Sequence, residues 1–288
     1  MTMADRNAIF KVGIVFSALA LLAGIAASVS TLPVYGNIGM EMELKPETAE
    51  KSGDILRTIF GELSQRQILK PSHLAVHLTV LLLALYSLAS IAVIYFFFEK
   101  THAIEMLFVA FFVLSFSIEV FRLAIPLAQI YDIPSLYLLI ASRIILFGRY
   151  FGIFSLFAAS VHAAGYQSQQ QRNAIVVIVV TALFVSLSAP VDTHIWDSSL
   201  NVRSGYTSMF PIIEVGVFII TVSSFFVATI PRGSREFLFI GTGSLLVFLG
   251  RNILLRTDTW AGLPIGLTLL AAGTWLICTR LHKIYLWL

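Results

Sequence analysis

IEMLFVAFFVLSFSIEVFRLAIPLAQI, residues 104–130, is long and apolar enough to cross a bilayer, yet it carries Glu119 and Arg122 in its interior. A span needs about 20 predominantly apolar residues, and an ionised side chain near its midpoint costs about 2.5–3.5 kcal/mol even on lenient insertion scales. Such groups must face protein or water. Glu119 and Arg122 lie one helical turn apart, so they project from one face, with Ser115 on the same side. The stretch therefore predicts a helix inside a polytopic bundle, turned with its polar face toward an interior site.

The flanking sequence repeats the apolar signal. Runs at 73–98, 103–130, 134–164, 174–190, 209–230, 237–255 and 262–281 follow one another with mostly brief connections, and an eighth occupies 12–34. An unpaired backbone is not tolerated in hydrocarbon, and a barrel would show alternating segments of about ten residues, so these runs read as helices. The fold class is all-α: a polytopic transmembrane bundle in which an amino-terminal signal anchor, or a cleavable signal, precedes seven transmembrane helices. Composition agrees, with 58% hydrophobic and 12% charged residues and a mean hydropathy of +0.88. The single cysteine, Cys278, excludes an intramolecular disulfide.

Three regions follow: an anchor at 1–35, a short extracytoplasmic segment at 36–72, and the seven-helix domain at 73–288. In the first, Ala20, Gly24 and Ser28 recur every four residues, as on a closely packed membrane face. In the second, Ile55, Leu56, Ile59, Phe60 and Leu63 form one apolar stripe, which predicts an interfacial helix over the bundle end. Gly241, Gly243 and Gly250 read as close-packing positions.

Basic residues give an orientation. With the amino terminus cytoplasmic, Arg6, Lys11, Lys100, Arg172, Arg232, Arg235, Arg280 and Lys283 all fall inside, and both termini are cytoplasmic if the first helix is retained. The loop at 191–208 then faces outward. The stretch 35–72, with five basic and six acidic residues, runs against the rule. A plasma or bacterial inner membrane fits this layout, with the lipid bilayer as the first partner. The net charge of +3 is scattered over short loops, which gives no nucleic-acid surface.

Counted at ~1.5 Å per residue, Glu119, Arg122, Arg143, Glu214 and Arg251 share a layer toward the outer side, and Arg149 lies near mid-depth. Four arginines against two glutamates leave a positive excess. Arg149, in GRYFG with Gly148 and Gly152 beside it, is expected to have no carboxylate in reach, while Tyr137 and Tyr150 would add hydroxyls. Arginine's planar fork suits a carboxylate or phosphate where water is scarce. The candidate ligand-binding set is Arg149, Arg143, Arg122, Glu119, Glu214, Arg251 and Tyr150. The structural alternative pairs each glutamate with an arginine and lets Arg251 reach the surface beside Arg256 and Asp258.

Histidines offer a weaker constellation. His73 and His77 at i, i+4, with His194 and Asp192 in the outer loop, are metal-ligand types without a recognisable metal motif. His102 and His162 sit at helix ends, too shallow for a bundle haem. No phosphate-cradling loop, zincin helix or nucleophile elbow is present, and no cofactor is expected. These features predict a membrane sensor or receptor-like module with an outward-facing, arginine-lined pocket for an anionic small molecule or lipid headgroup. The layout is similar to that of bacterial receptors that join a seven-helix module to signalling domains, although no motif identifies that family. The chain ends shortly after its last span, so a signal would pass through a separate cytoplasmic or membrane protein. A secondary transporter of a small anion is the alternative, and a membrane hydrolase or lipid-modifying enzyme built on the outer His and Asp residues is the third.

Overall fold

A computed structural model of the chain describes residues 3–38, 71–99, 101, 103–165, 171–205 and 209–286. The interfacial helix expected around 55–63, together with Lys100 and His102, lies outside the described residues. The helices are α1 (Met3–Ile38), α2 (His73–Phe98), α3 (Ile104–Ser115), α4 (Ala124–Ile130), α5 (Ser135–Ala163), α6 (Gln171–Ser188), α7 (Met209–Arg232), α8 (Glu236–Arg256) and α9 (Gly262–Leu286). A 3-10 segment, Phe116–Leu123, joins α3 to α4. Counting Ile104–Ile130 as one unit, eight helices among the described residues are long and apolar enough to cross a membrane. The result is an all-α polytopic bundle.

Burial identifies the centre. In the most apolar stretch of Ile104–Ile130, 78% is buried, against 11% in Met209–Ile230, so the former is the core helix and the latter offers its apolar surface outward. The core helix packs between α2 and α5; α5 also meets α6 and α7, and α8 pairs with α9, which returns to α2. α1 lies on α2 and the 3-10 segment, presenting Arg6, Phe10, Ser17, Ser28 and Thr31 as buried positions. Ser17, Ser87 and Ser117 meet there within 2.8–3.2 Å. Gly24 belongs to this face, since a Cβ on it would come within 3.1 Å of Leu81 Cδ2.

The core helix does not run as one α-helix. Over Phe116–Leu123 it winds more tightly, at about 3.0 residues per turn. Just past its end, Pro126 carries no N–H to bond the carbonyl of Arg122 one turn earlier. Three-fold winding brings residues i and i+3 into one row, so Phe116, Glu119 and Arg122 align on a single buried face. The close approach of α5 fixes that segment in place. A Cβ on Gly148 would sit 2.9 Å from Ile118 Cβ, and one on Gly152 would sit 2.4 Å from Ser115 Oγ.

The two ends of the bundle differ. At one, Arg6 donates to the carbonyls of Phe98 (2.7 Å) and Thr101, and Arg280 and Lys283 reach Glu236 at 2.9 and 2.5 Å. At the other, 191–208, expected only as a surface loop, contains an antiparallel hairpin of β1 (Val191–Trp196) and β2 (Val202–Ser204). Its turn is built on Asp197, whose Oδ1 accepts from Ser199 N (3.1 Å), Ser199 Oγ (2.8 Å) and Asn201 N (2.8 Å). Leu200 takes a left-handed conformation, φ +57°, and its side chain is buried with Val76, Val80, Leu123 and Ile125. The hairpin tip is thus plugged into the bundle.

Candidate functional site

The expected charged layer assembles beneath this plug, with partners that sequence spacing did not reveal. Arg149 is not without a carboxylate: Nε and Nη2 donate to Glu119 Oε1 and Oε2 at 2.7 and 2.8 Å. Gly148 and Gly152 bring this about, because the first lets Ile118 of the 3-10 segment, and the second Ser115 at the end of α3, close on α5 on either side of Arg149. Arg149 Nη2 also donates to Asn201 Oδ1 of the hairpin at 2.5 Å. None of these bonds uses Nη1.

Arg251 is buried and lies 3.5 Å from Glu214 Oε2, so it does not reach the surface. Its Nη2 donates to the carbonyl of Arg149 at 3.4 Å, which ties α8 to α5. Tyr150, buried next to that carbonyl, packs its ring against Phe154 and Phe210 with centroids 6.0 and 5.8 Å apart. Tyr137 is exposed and takes no part.

Arg143 leaves the candidate set. Its Nη1 donates to the carbonyls of Ser186 and Ala189, groups that a helix end leaves without intrahelical donors. It caps α6. Without it, three arginines face two glutamates, and the positive excess falls to one. Asp197, at the hairpin tip, exerts a favourable field on both Arg122 and Arg149 and completes the balance from outside the layer.

Sequence reasoning missed the hairpin's contribution. Ser199 lends its carbonyl to Arg122 Nη2, Asn201 donates to the carbonyl of Leu255 at 3.1 Å, and Ser198 donates to Asp258 Oδ2 at 2.5 Å. The tetrad DSSL at 197–200 followed by Asn201 was the available signal: a polar, turn-forming run between β-branched residues. Between α5 and the hairpin lies a crevice of about 20 Å³, lined by Ser142, Ile145, Leu146, Arg149, Asn201 and Val202. That is room for about one water.

The histidines whose side chains are described do not converge. His77 Nε2 meets Thr31 Oγ1 at 3.0 Å and Nδ1 meets the His73 carbonyl at 2.9 Å, so the ring joins α1 to α2. Asp192 is exposed on β1, in register with Arg203, and the side chain of His194 lies outside the described residues. Among the described residues, no group of three or more His, Cys, Asp or Glu side chains is placed to hold a metal ion. His162 Nδ1 meets the carbonyl of Ala158 at 2.9 Å, and its ring lies on Phe108. Comparison with protein-family models, with curated proteins and with solved structures finds no match for this chain.

Proposed function

We propose that this chain is a receptor-like membrane module in which an anionic or amphiphilic ligand engages Arg149 from the crevice under the hairpin. Displacement of the hairpin would then carry the signal to a separate protein. The supporting observation is the sharing of Arg149 Nη2 between Glu119, fixed in the core, and Asn201, carried on the hairpin. A carboxylate or phosphate competes with Asn201 for that donor and offers a charge-assisted bond in place of a neutral one. The crevice, at about 20 Å³, is far below the ~300–1,000 Å³ of a small-molecule pocket. Ligand must lift the plug to enter, and that differential affinity for a hairpin-open state is what makes binding a switch.

A transporter needs a continuation of the path on the other side of the charged layer. There, buried Phe108, Phe111, Phe112 and Phe116 fill the core helix's surroundings, which favours a blind-ended site.

Arg149→Gln is a poor test by itself, because it strands Glu119 and costs about 3–5 kcal/mol with or without ligand. Asn201→Ala removes the competitor and strands no charge. Decanoate and decyl phosphate, titrated against the full chain in nanodiscs, should raise the unfolding temperature of the wild type and act at lower concentration on Asn201→Ala. Equal response of both proteins, or none in either, would count against the proposal.

A further inference from the structure

Glu119, Glu214 and Asp197 balance Arg122, Arg149 and Arg251, and Arg143 is the cation inside a span that this balance leaves over. No carboxylate among the described residues forms an ion pair with it. Its Nη1 donates to the carbonyls of Ser186 and Ala189, which are neutral acceptors, while Nε and Nη2 make no hydrogen bond among the described residues. Those two nitrogens are not sealed inside the protein, and the residue is half-buried. They form the edge of the guanidinium with which Arg149 grips both oxygens of Glu119. In Arg143 the same edge is open.

The place of this cation says what meets it. Arg143 stands about two turns inside α5, on the side of that helix where Leu136 and Ile140 are exposed. Its guanidinium reaches the carboxyl-terminal end of α6, where the chain leaves the helix for the hairpin. α6 packs on α5 through the row Ile178, Ala182 and Ser186 and turns most of its surface outward, with 17% of its most apolar stretch buried. Beside that row Val176, Val180, Leu183 and Leu187 are exposed at i, i+4, i+7 and i+11, an apolar stripe that ends at the level of the Arg143 cap. A long basic side chain near a helix end normally extends into water. Arg143 is instead bent onto two carbonyls, so a counter-ion must come to it from the bilayer side.

We propose that Arg143 binds the phosphate of an anionic phospholipid in the leaflet on the hairpin side, with an acyl chain laid along the α6 stripe. Two non-bridging oxygens of a phosphate diester fit the Nε–Nη2 edge as a carboxylate does, and Nη1 continues to cap α6. The lipid therefore fastens α6 to α5. An anionic headgroup is preferred to a zwitterionic one, because a choline cation opposes the charge that Arg143 brings. This site stands apart from the Arg149 crevice and does not rest on the receptor reading.

The test uses the full chain in nanodiscs of phosphatidylcholine, with and without phosphatidylglycerol. Phosphatidylglycerol should raise the unfolding temperature by about 2–5 °C. Arg143→Gln, which keeps a neutral donor for the α6 carbonyls, should lose that shift, whereas Lys283→Gln, on an exposed side chain at the opposite end, should keep it. A second readout needs the wild type alone and holds even where the variant does not fold. Phosphatidylglycerol carrying a diazirine in one acyl chain should label Val180, Leu183 or Leu187, and the matching phosphatidylcholine should label them several-fold less. Equal labelling by the two lipids, or an unfolding temperature indifferent to phosphatidylglycerol, would overturn the proposal and leave Arg143 as a helix cap alone. A shift that persists in Arg143→Gln, or one that soluble glycerol phosphate reproduces in phosphatidylcholine nanodiscs, would overturn it equally, since the anion would then sit elsewhere or need no acyl chain.

Discussion

Arg122, Arg143 and Arg149 are the same residue type in the same apolar context, and the structure gives them three different roles. Arg143 caps a helix end, Arg149 binds Glu119 through two bonds, and Arg122 keeps two nitrogens unbonded. The sequence made the set of buried charges legible, because an ionisable residue inside an apolar run is conspicuous. It did not make the pairing legible, since Glu119 and Arg149 are 30 residues apart and meet through the two glycines of GRYFG. A double-mutant cycle on this pair measures the pairing. Glu119→Gln and Arg149→Gln should each cost about 3–5 kcal/mol of stability, and the double variant should cost less than their sum by more than about 0.5 kcal/mol. Additive losses would mean that each residue has a different principal partner.

At the level of elements, long apolar runs located the helices with unequal precision: 73–98 appears as α2 without change and 237–255 as Glu236–Arg256, whereas the run expected at 12–34 appears as Met3–Ile38, because the polar residues at its start continue the helix. The 3-10 winding was not legible, because FSIEVFRL contains neither glycine nor proline to mark a departure from the α-helix. The hairpin was hidden for another reason, since its strands are too short for alternation to stand out in a polar loop. Close-packing glycines were recognisable, and the structure ranks them. A Cβ on Gly250 would meet backbone atoms of α9 at 2.6 and 2.7 Å, while one on Gly216 would meet nothing within 4 Å. Gly250→Val should therefore destabilise the α8–α9 pair by more than about 1–3 kcal/mol, and Gly216→Val should be close to neutral. Comparable unfolding temperatures for the two variants would contradict this packing.

For the whole molecule, the described helices place Arg6, Glu236 and Arg280 at one end of the bundle and the hairpin at the other. The distribution of Lys and Arg among the connections predicts a cytoplasmic location for the Arg6 end. Reporter fusions at Gly165, after α5, and at Asp197, in the hairpin turn, should report cytoplasmic and external locations respectively. The opposite result would invert the assignment and turn the plug toward the cytoplasm. The expected seven-helix domain and its preceding anchor appear as one packed body, with α1 joined to α2 through the Ser17–Ser87 and Thr31–His77 contacts. Composition could not foresee this. It reports that a segment is apolar, and it is silent about which polar atoms the segment shares with its neighbours.

The plug also imposes an order in time. Glu119 and Arg122 leave the ribosome long before Ser199, and Asn201 reaches its acceptor at Leu255 only when α8 has been made. During synthesis Arg122 must enter the membrane before its roof exists, while Glu119 waits for Arg149. Nascent chains stalled before the hairpin should therefore carry an unroofed cation in the lipid and be preferred targets for membrane quality control, whereas chains extended past Asp258 can fasten Ser198 and escape it.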